Sequence, residues 1–120
     1  MRRSTIIFRQ GQVVIVDVAF TAGMGSKPRP AVVLSTQAFH RKLPDVILCP
    51  ISSRPRWYSR PGPGDHPLRH WKTVHLRFPS TARISNLVSV EKSLIRKVLG
   101  ILTAEDMRHI KAGLRAAMGL

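Results

Sequence analysis

The chain has 120 residues, 43% of them hydrophobic, and carries twenty Lys and Arg against six Asp and Glu, a formal charge of +14. That length suits one domain around one core, the apolar fraction excludes a chain disordered throughout, and the charge points to a polyanionic partner such as nucleic acid. The only cysteine, Cys49, leaves no intramolecular disulfide or cysteine-based zinc cluster to expect.

The opening MRRSTIIFRQ is basic, but Arg9 stops its apolar stretch too early for a signal peptide. No later run approaches membrane-spanning length, so a reducing cytoplasm and no membrane contact are expected. Gln12 to Ala19, QVVIVDVA, is rich in β-branched residues and predicts a half-buried strand. FTAGMGSKPRP follows as a loop that stiffens toward its end, where Pro28 and Pro30 lie. Ala31 to Leu34 predicts a second strand starting just past a proline. STQAFHRKLP connects it, with one helical turn, to a third strand in DVILCPI. There Cys49 is expected as a buried, inert thiol.

Ser52 to Trp71 contains four prolines, Gly62, Gly64 and four arginines, and predicts a long excursion of the functional kind. KTVHLRF and ARISNLVSV each read as a strand, and SLIRKVLGIL as a short turn before a last strand. From Thr103 a helix is predicted. Thr103 and Asp106 imitate a capping box, Glu105 and Asp106 suit its first turn, and Met107, Ile110, Leu114 and Ala117 mark one apolar face. The expected architecture is mainly β: one domain over residues 1–120, a small, strongly bent antiparallel barrel closed by a C-terminal α-helix.

Metal and cofactor motifs are missing, so no cofactor is expected. Gly23 and Gly25 lie between two strands rather than before a helix, the six acids form no ligand-like group, and the five histidines are scattered. Scattered histidines predict surface positions. Only His66 and His70 share a loop with polar neighbours, and they are candidates for proton transfer.

Arg29 is the principal catalytic candidate. Pro30 drives the residue before it into an extended conformation and Pro28 fixes its own φ, so the guanidinium is aimed at low entropic cost. A planar, permanently charged fork matches phosphate oxygens. The structural alternative is an arginine paired with a neighbouring carboxylate at the start of the strand. Ser52, at the end of the third strand, supplies a hydroxyl that an antiparallel barrel can bring beside Arg29 at one phosphate. Trp57, Tyr58 and Trp71 alternate with Arg54, Arg56, Arg60 and Arg69, a pattern suited to stacking on unpaired bases. Against it, Trp71 reads as core and Trp57 equally well as a loop anchor.

Several strings, in order, resemble the MazF/PemK (Kid) family of toxin endoribonucleases: GQVVIVDV, RPAVVLS (Arg29 to Ser35), PISS (Pro50 to Ser53), EKSLI (Glu91 to Ile95) and LGILTAED (Leu99 to Asp106). GDHPLRHW (Gly64 to Trp71) also resembles an insert of one PemK-like branch. The resemblance spans roughly Gly11 to Met118. It implies an SH3-like barrel with a C-terminal helix (MazF- or CcdB-like), a homodimer, and neutralisation by a cognate acidic antitoxin. It also implies metal-independent cleavage of single-stranded RNA by 2′-hydroxyl attack, leaving a 2′,3′-cyclic phosphate and a 5′-hydroxyl.

By that resemblance the catalytic arginine is Arg29 and the catalytic threonine falls on Ser52. Lys27, Ser53, Arg54, Arg56 and Trp57 are expected to hold RNA, and the loop Phe20 to Lys27 to border the same groove as a lid. Gln12 and Met24 stand where relatives often carry acids, which leaves the general base open among Asp65, His66 and His70. The alternative reading is a non-catalytic toxin or nucleic-acid binder on the same barrel, in the manner of the topoisomerase poison CcdB.

Overall fold

A computed structural model of the chain describes residues 6–18 and 27–120. The predicted lid, Lys27 apart, and Met24 lie outside the described residues. Strands β1 (Gln12–Val18), β2 (Lys27–Val33) and β3 (Asp45–Ser52) form the centre of a seven-stranded sheet. Helix α1 (Gln37–Lys42), capped by the Thr36 hydroxyl, joins β2 to β3. Helix α2 (Pro55–Ser59) and the two-residue strand β4 (His66–Pro67) lie in the predicted excursion, followed by β5 (Thr81–Ala82), β6 (Val88–Glu91), β7 (Ile95–Ile101) and helix α3 (Ala104–Met118). The order is β4-β5-β3-β2-β1-β7 with β6 also on β3, and all described pairings are antiparallel. The antiparallel sheet with its C-terminal helix is as expected, but the barrel stays open: among the described residues β7 pairs only with β1 and β4 only with β5. Two register shifts in the β1–β7 ladder mark where the sheet curls.

Alternate residues of the central strands feed two cores. Val13, Val32, Cys49 and Ile51 pack with Met107 and Ile110 of α3, while Val14, Val16, Ala31, Val33, Val46 and Leu48 pack with Phe8 and Val90. β1 is therefore buried on both faces rather than half-buried, which explains its nearly unbroken apolar run. Cys49 is fully buried, and burial first, then the Asp65 carboxylate, pushes its thiol up to about 12.

Three sequence expectations fail. KTVHLRF is not a strand: Trp71–Val74 is a 3-10 turn, ended by His75 in the left-handed region at φ 60. ARISNLVSV is split by a second 3-10 turn at Ile84–Asn86. The scattered histidines are not all superficial, since His40 and His66 are buried. His40 donates from Nδ1 to the Phe8 carbonyl at 2.9 Å and accepts from the Ser35 hydroxyl at Nε2 at 2.6 Å. Among the described residues no helix is long and apolar enough to cross a membrane.

Candidate active site

Three prolines shape the junction of β2, β3 and β5. Along β2 the even-numbered residues turn their backbone groups toward β3, as the Leu34 N–H does in reaching the Ile47 carbonyl at 2.9 Å just beyond the strand. Pro28 and Pro30 fall on this side and offer no N–H. The β2–β3 ladder accordingly stops at Ala31 opposite Pro50. β2 itself starts at Lys27, earlier than the predicted Ala31, because β1 pairs along its other side as far as Lys27. Pro50 has the same effect on β3's other edge, where β6 pairs as far as Leu48 and β5 takes over at Ile51.

Two residues past the last β2–β3 pair, in each strand, stand Arg29 and Ser52. The register thus sets them opposite one another on the same face, where the strands part. Arg29 is exposed, and its backbone is fixed opposite Val16 of β1. Among the described residues it pairs with no carboxylate, so the ion-paired alternative is not realised. Ser52 is half-buried, and its Oγ accepts the Arg54 N–H at 3.2 Å, which leaves its own hydrogen free to donate. Its cross-strand partner Thr81 is fully buried, and the Thr81 hydroxyl has no partner among the described residues.

The RNA-holding candidates flank this point. Lys27 is exposed at the start of β2, and Ser53 and Arg54 are exposed where α2 begins. Arg56 is exposed with its guanidinium 4.5 Å from the Trp57 ring centroid. Trp57 is half-buried and is also covered by the Arg83 guanidinium at 3.5 Å, so the loop-anchor reading holds for part of the ring. Trp71 packs against the core under α3, as expected.

The proton-transfer candidates lie elsewhere. Asp65 bonds the Ile84 N–H at 2.8 Å and pairs with Arg83 Nε at 2.6 Å. His66 lies opposite Ala82, which lies opposite Ile51, so it shares Ile51's face and not Ser52's. It is also two strand spacings from β3, roughly 10 Å. On that face His66 Nε2 donates to buried Asp106 at 2.7 Å, and its ring stacks on His109 at 4.9 Å. His70 is exposed, with Nε2 bonded to Glu105 at 2.8 Å.

Burial first, helped by the neighbouring His109 and Arg69 charges, pushes the His66 pKa down against the raising effect of the Asp106 carboxylate. Burial likewise raises Asp106, but the Arg69 N–H, the His66 ring and the His70 N–H together outweigh it and hold the carboxyl below its ordinary value. Glu105 is lowered chiefly by its hydrogen bond from His70. This cluster pins residues 66–70 to α3. Asp106, read from sequence only as a first-turn acid, is its hub, and nothing local in the sequence marks that role.

Among the described residues no group of three or more His, Cys, Asp or Glu is arranged to hold a metal ion. Two open depressions, of about 680 Å³ beside Arg9 and Arg41 and about 300 Å³ beside Met107 and Lys111, include neither Arg29 nor Ser52.

Comparison with solved structures finds the same fold repeatedly. A mycobacterial endoribonuclease in complex with its cognate antitoxin superposes with a TM-score of 0.72 at 22% identity, over 93% of this chain and 95% of that one. MazF (Form-I) from Deinococcus radiodurans gives 0.74 at 21% identity over 96% of this chain and 99% of that one, and the MazE-MazF complex (Form-III) from the same organism gives 0.74 at 20% identity over 96% and 99%. Mycobacterium tuberculosis toxin MazF-mt6 gives 0.73 at 18% identity over 91% and 97%. No curated protein matches the sequence. The family model of the PemK-like, MazF-like toxin of type II toxin-antitoxin system matches residues 9–118, nearly the whole chain, and the chain belongs to that family.

Proposed function

We propose that this chain is an endoribonuclease toxin that cuts single-stranded RNA without a metal, works as a homodimer, and is restrained by an acidic antitoxin. The observation that carries the reading is the β2–β3 register, which sets an unpaired, exposed Arg29 across from a Ser52 hydroxyl with a free hydrogen. Family membership, the +14 charge, and fold neighbours described as an endoribonuclease or as complexes with an antitoxin support it.

In the proposed reaction the ribose 2′-oxygen attacks the adjacent phosphorus, a 2′-O–P bond forms and the 5′-O–P bond breaks. The 2′-hydroxyl proton leaves to a base and the 5′-oxygen gains one, giving a 2′,3′-cyclic phosphate and a 5′-hydroxyl. The nucleophile is internal, so the enzyme supplies orientation and charge stabilisation rather than a covalent intermediate. Arg29 neutralises the developing charge on the phosphorane oxygens and Ser52 donates to one of them. Lys27, Arg54 and Arg56 take neighbouring phosphates. A proton carrier must come within about 3 Å of its target. His66 lies on the far face, and Asp65 is engaged with Arg83 and Ile84. We therefore assign these two to anchoring. His70, exposed but bonded to Glu105, is assigned with them.

Purified protein incubated with unpaired RNA in EDTA is expected to yield discrete products ending in 2′,3′-cyclic phosphate. Arg29→Ala is expected to lose about 10²–10³ in rate with an unchanged melting temperature, the usual loss for one oxyanion-type donor. Intact RNA at high enzyme, or a variant that cuts at the parent rate, refutes the reading. Growth inhibition that survives Arg29→Ala would favour the non-catalytic binder.

A further inference from the structure

Resting on the endoribonuclease reading, we infer that Arg83 is a positioning residue: held by Asp65, it fixes the Trp57 indole as a stacking platform for an unpaired nucleobase beside the scissile phosphate. Helix α2 is five residues long and buries none of them, so propensity and core packing contribute little to holding it. What holds it is the contact network around Trp57. The Arg83 guanidinium carbon lies 3.5 Å from the indole centroid, and the Tyr58 hydroxyl donates to the Leu68 carbonyl at 3.1 Å.

Arg83 is itself held on several sides. Its Nε faces Asp65 Oδ2 at 2.6 Å, its Nη2 donates to Ser85 Oγ at 3.1 Å, and its backbone N–H donates to the Pro50 carbonyl at 2.9 Å. That last bond ties it to β3 two residues before Ser52. The pair is well buried, with side-chain exposures of 13% for Arg83 and 1% for Asp65. A buried ion pair is a poor device for stability, since apolar packing does as well without the desolvation cost. A planar cation over an indole face is something apolar packing cannot supply. Gly62 belongs to the same arrangement: a Cβ there would stand 3.0 Å from Asp65 Oδ2 and 4.0 Å from Trp57 Cζ3.

The platform adjoins the candidate hydroxyl, because the Ser52 Oγ accepts the N–H of Arg54, the N-cap residue of α2. Trp57 is only half-buried, so ring surface remains for a base. With its Nε and Nη2 directed to Asp65 and Ser85, Arg83 acts through Trp57 rather than on phosphate.

The chain has two tryptophans, so Trp71→Phe leaves Trp57 as the only one. In that background, with Arg29→Ala added to prevent cleavage, an unpaired oligoribonucleotide is expected to quench Trp57 emission. An abasic ribose-phosphate oligomer of equal length is expected to bind without quenching. In the cleaving protein, Arg83→Lys keeps a cation toward Asp65 but loses the plane. It is expected to stay folded, to raise KM about tenfold with kcat within about twofold, and to weaken the quench. If Arg83→Lys does not fold, Trp57→Leu at the half-exposed ring is read by kinetics alone, with KM again expected to rise and kcat to stay within about twofold. Equal quenching by both oligomers, or an unchanged KM in a folded variant, on a protein that still cuts RNA overturns this inference alone. A protein that neither binds nor cuts RNA overturns the endoribonuclease reading and this inference with it.

Discussion

Gly113 lies inside α3, where replacing glycine by alanine ordinarily stabilises a helix by about 1 kcal/mol. Here the opposite is expected. A Cβ at Gly113 would run into the Gly64 carbonyl oxygen and stand 3.0 Å from its carbon, and Gly64 has φ +79, where other residues are strained. Relief requires lifting Gly64 by roughly 1 Å, which drags the adjacent Asp65. That motion stretches the 2.8 Å bond from the Ile84 N–H beyond good geometry and pulls the carboxylate away from its ion pair with Arg83. A bond to a charged acceptor contributes about 1.5–3 kcal/mol, and overpacking costs about 1–3 kcal/mol. Set against the propensity gain, the net loss for Gly113→Ala is about 2 kcal/mol, or about 8 °C in Tm for a chain of this size. Thermal and guanidinium unfolding followed by circular dichroism measure it, with Ala116→Gly on the exposed side of α3 as the propensity control, expected to lose about 1 kcal/mol. A Gly113→Ala protein as stable as the parent, or more so, would refute the close approach of the 60s loop to α3.

Thr81→Val removes a buried hydroxyl without a partner and is expected to stabilise by about 1 kcal/mol, read as a rise in guanidinium midpoint; a fall would show that the hydroxyl is bonded. Ser52→Thr adds the methyl that narrows three staggered rotamers, and is expected to raise kcat for RNA cleavage up to about threefold; a drop below parent would mean the strand junction has no room for it. Stability should also fall as pH drops below about 6.5. The His66 pKa is lowered on folding, so the unfolded chain takes up a proton at His66's ordinary value of 6.5 while the folded one resists it. Burial sets that resistance, the stacked His109 and the Arg69 charge add to it, and the Asp106 carboxylate works against it. As pH falls further, Asp106, whose pKa is also lowered, loses its own contribution below its ordinary value of 3.8. A Tm that is level between about pH 7.5 and 5.5 would refute this assignment.

What could be read in the sequence was what depends on near neighbours. Thr103 caps α3 through the Asp106 N–H at 3.2 Å, and the apolar face at Met107 and Ile110 is buried, because capping and helical spacing are local. The prolines around Arg29 pointed to a rigid site, although their larger effect, ending the β2–β3 ladder, needs the direction of each N–H and so the register. KTVHLRF misled because alternation alone does not distinguish a strand from a 3-10 turn with one buried residue, Val74. The long excursion was recognisable from its Pro and Gly content. Its attachment was not, since Asp106 receives the Arg69 and His70 N–H groups from more than thirty residues away.

The sheet divides the work between its faces. Ile51, Ala82 and His66 turn toward α3, where Asp106 gathers the excursion, while Ser52, Thr81 and Pro67 occupy the other side. Period-two alternation makes this separation unavoidable: a one-residue slip of β3 against β5 would exchange the two sets and bury the candidate hydroxyl under α3. β5 and β4 are only two residues long and cannot hold that register by their own ladders. The bonds that fix it are therefore the Asp106 cluster and the Asp65–Arg83 brace. On this account two buried carboxylates, Asp65 of the excursion and Asp106 of α3, hold the strand register, and that register decides which face Ser52 presents to RNA.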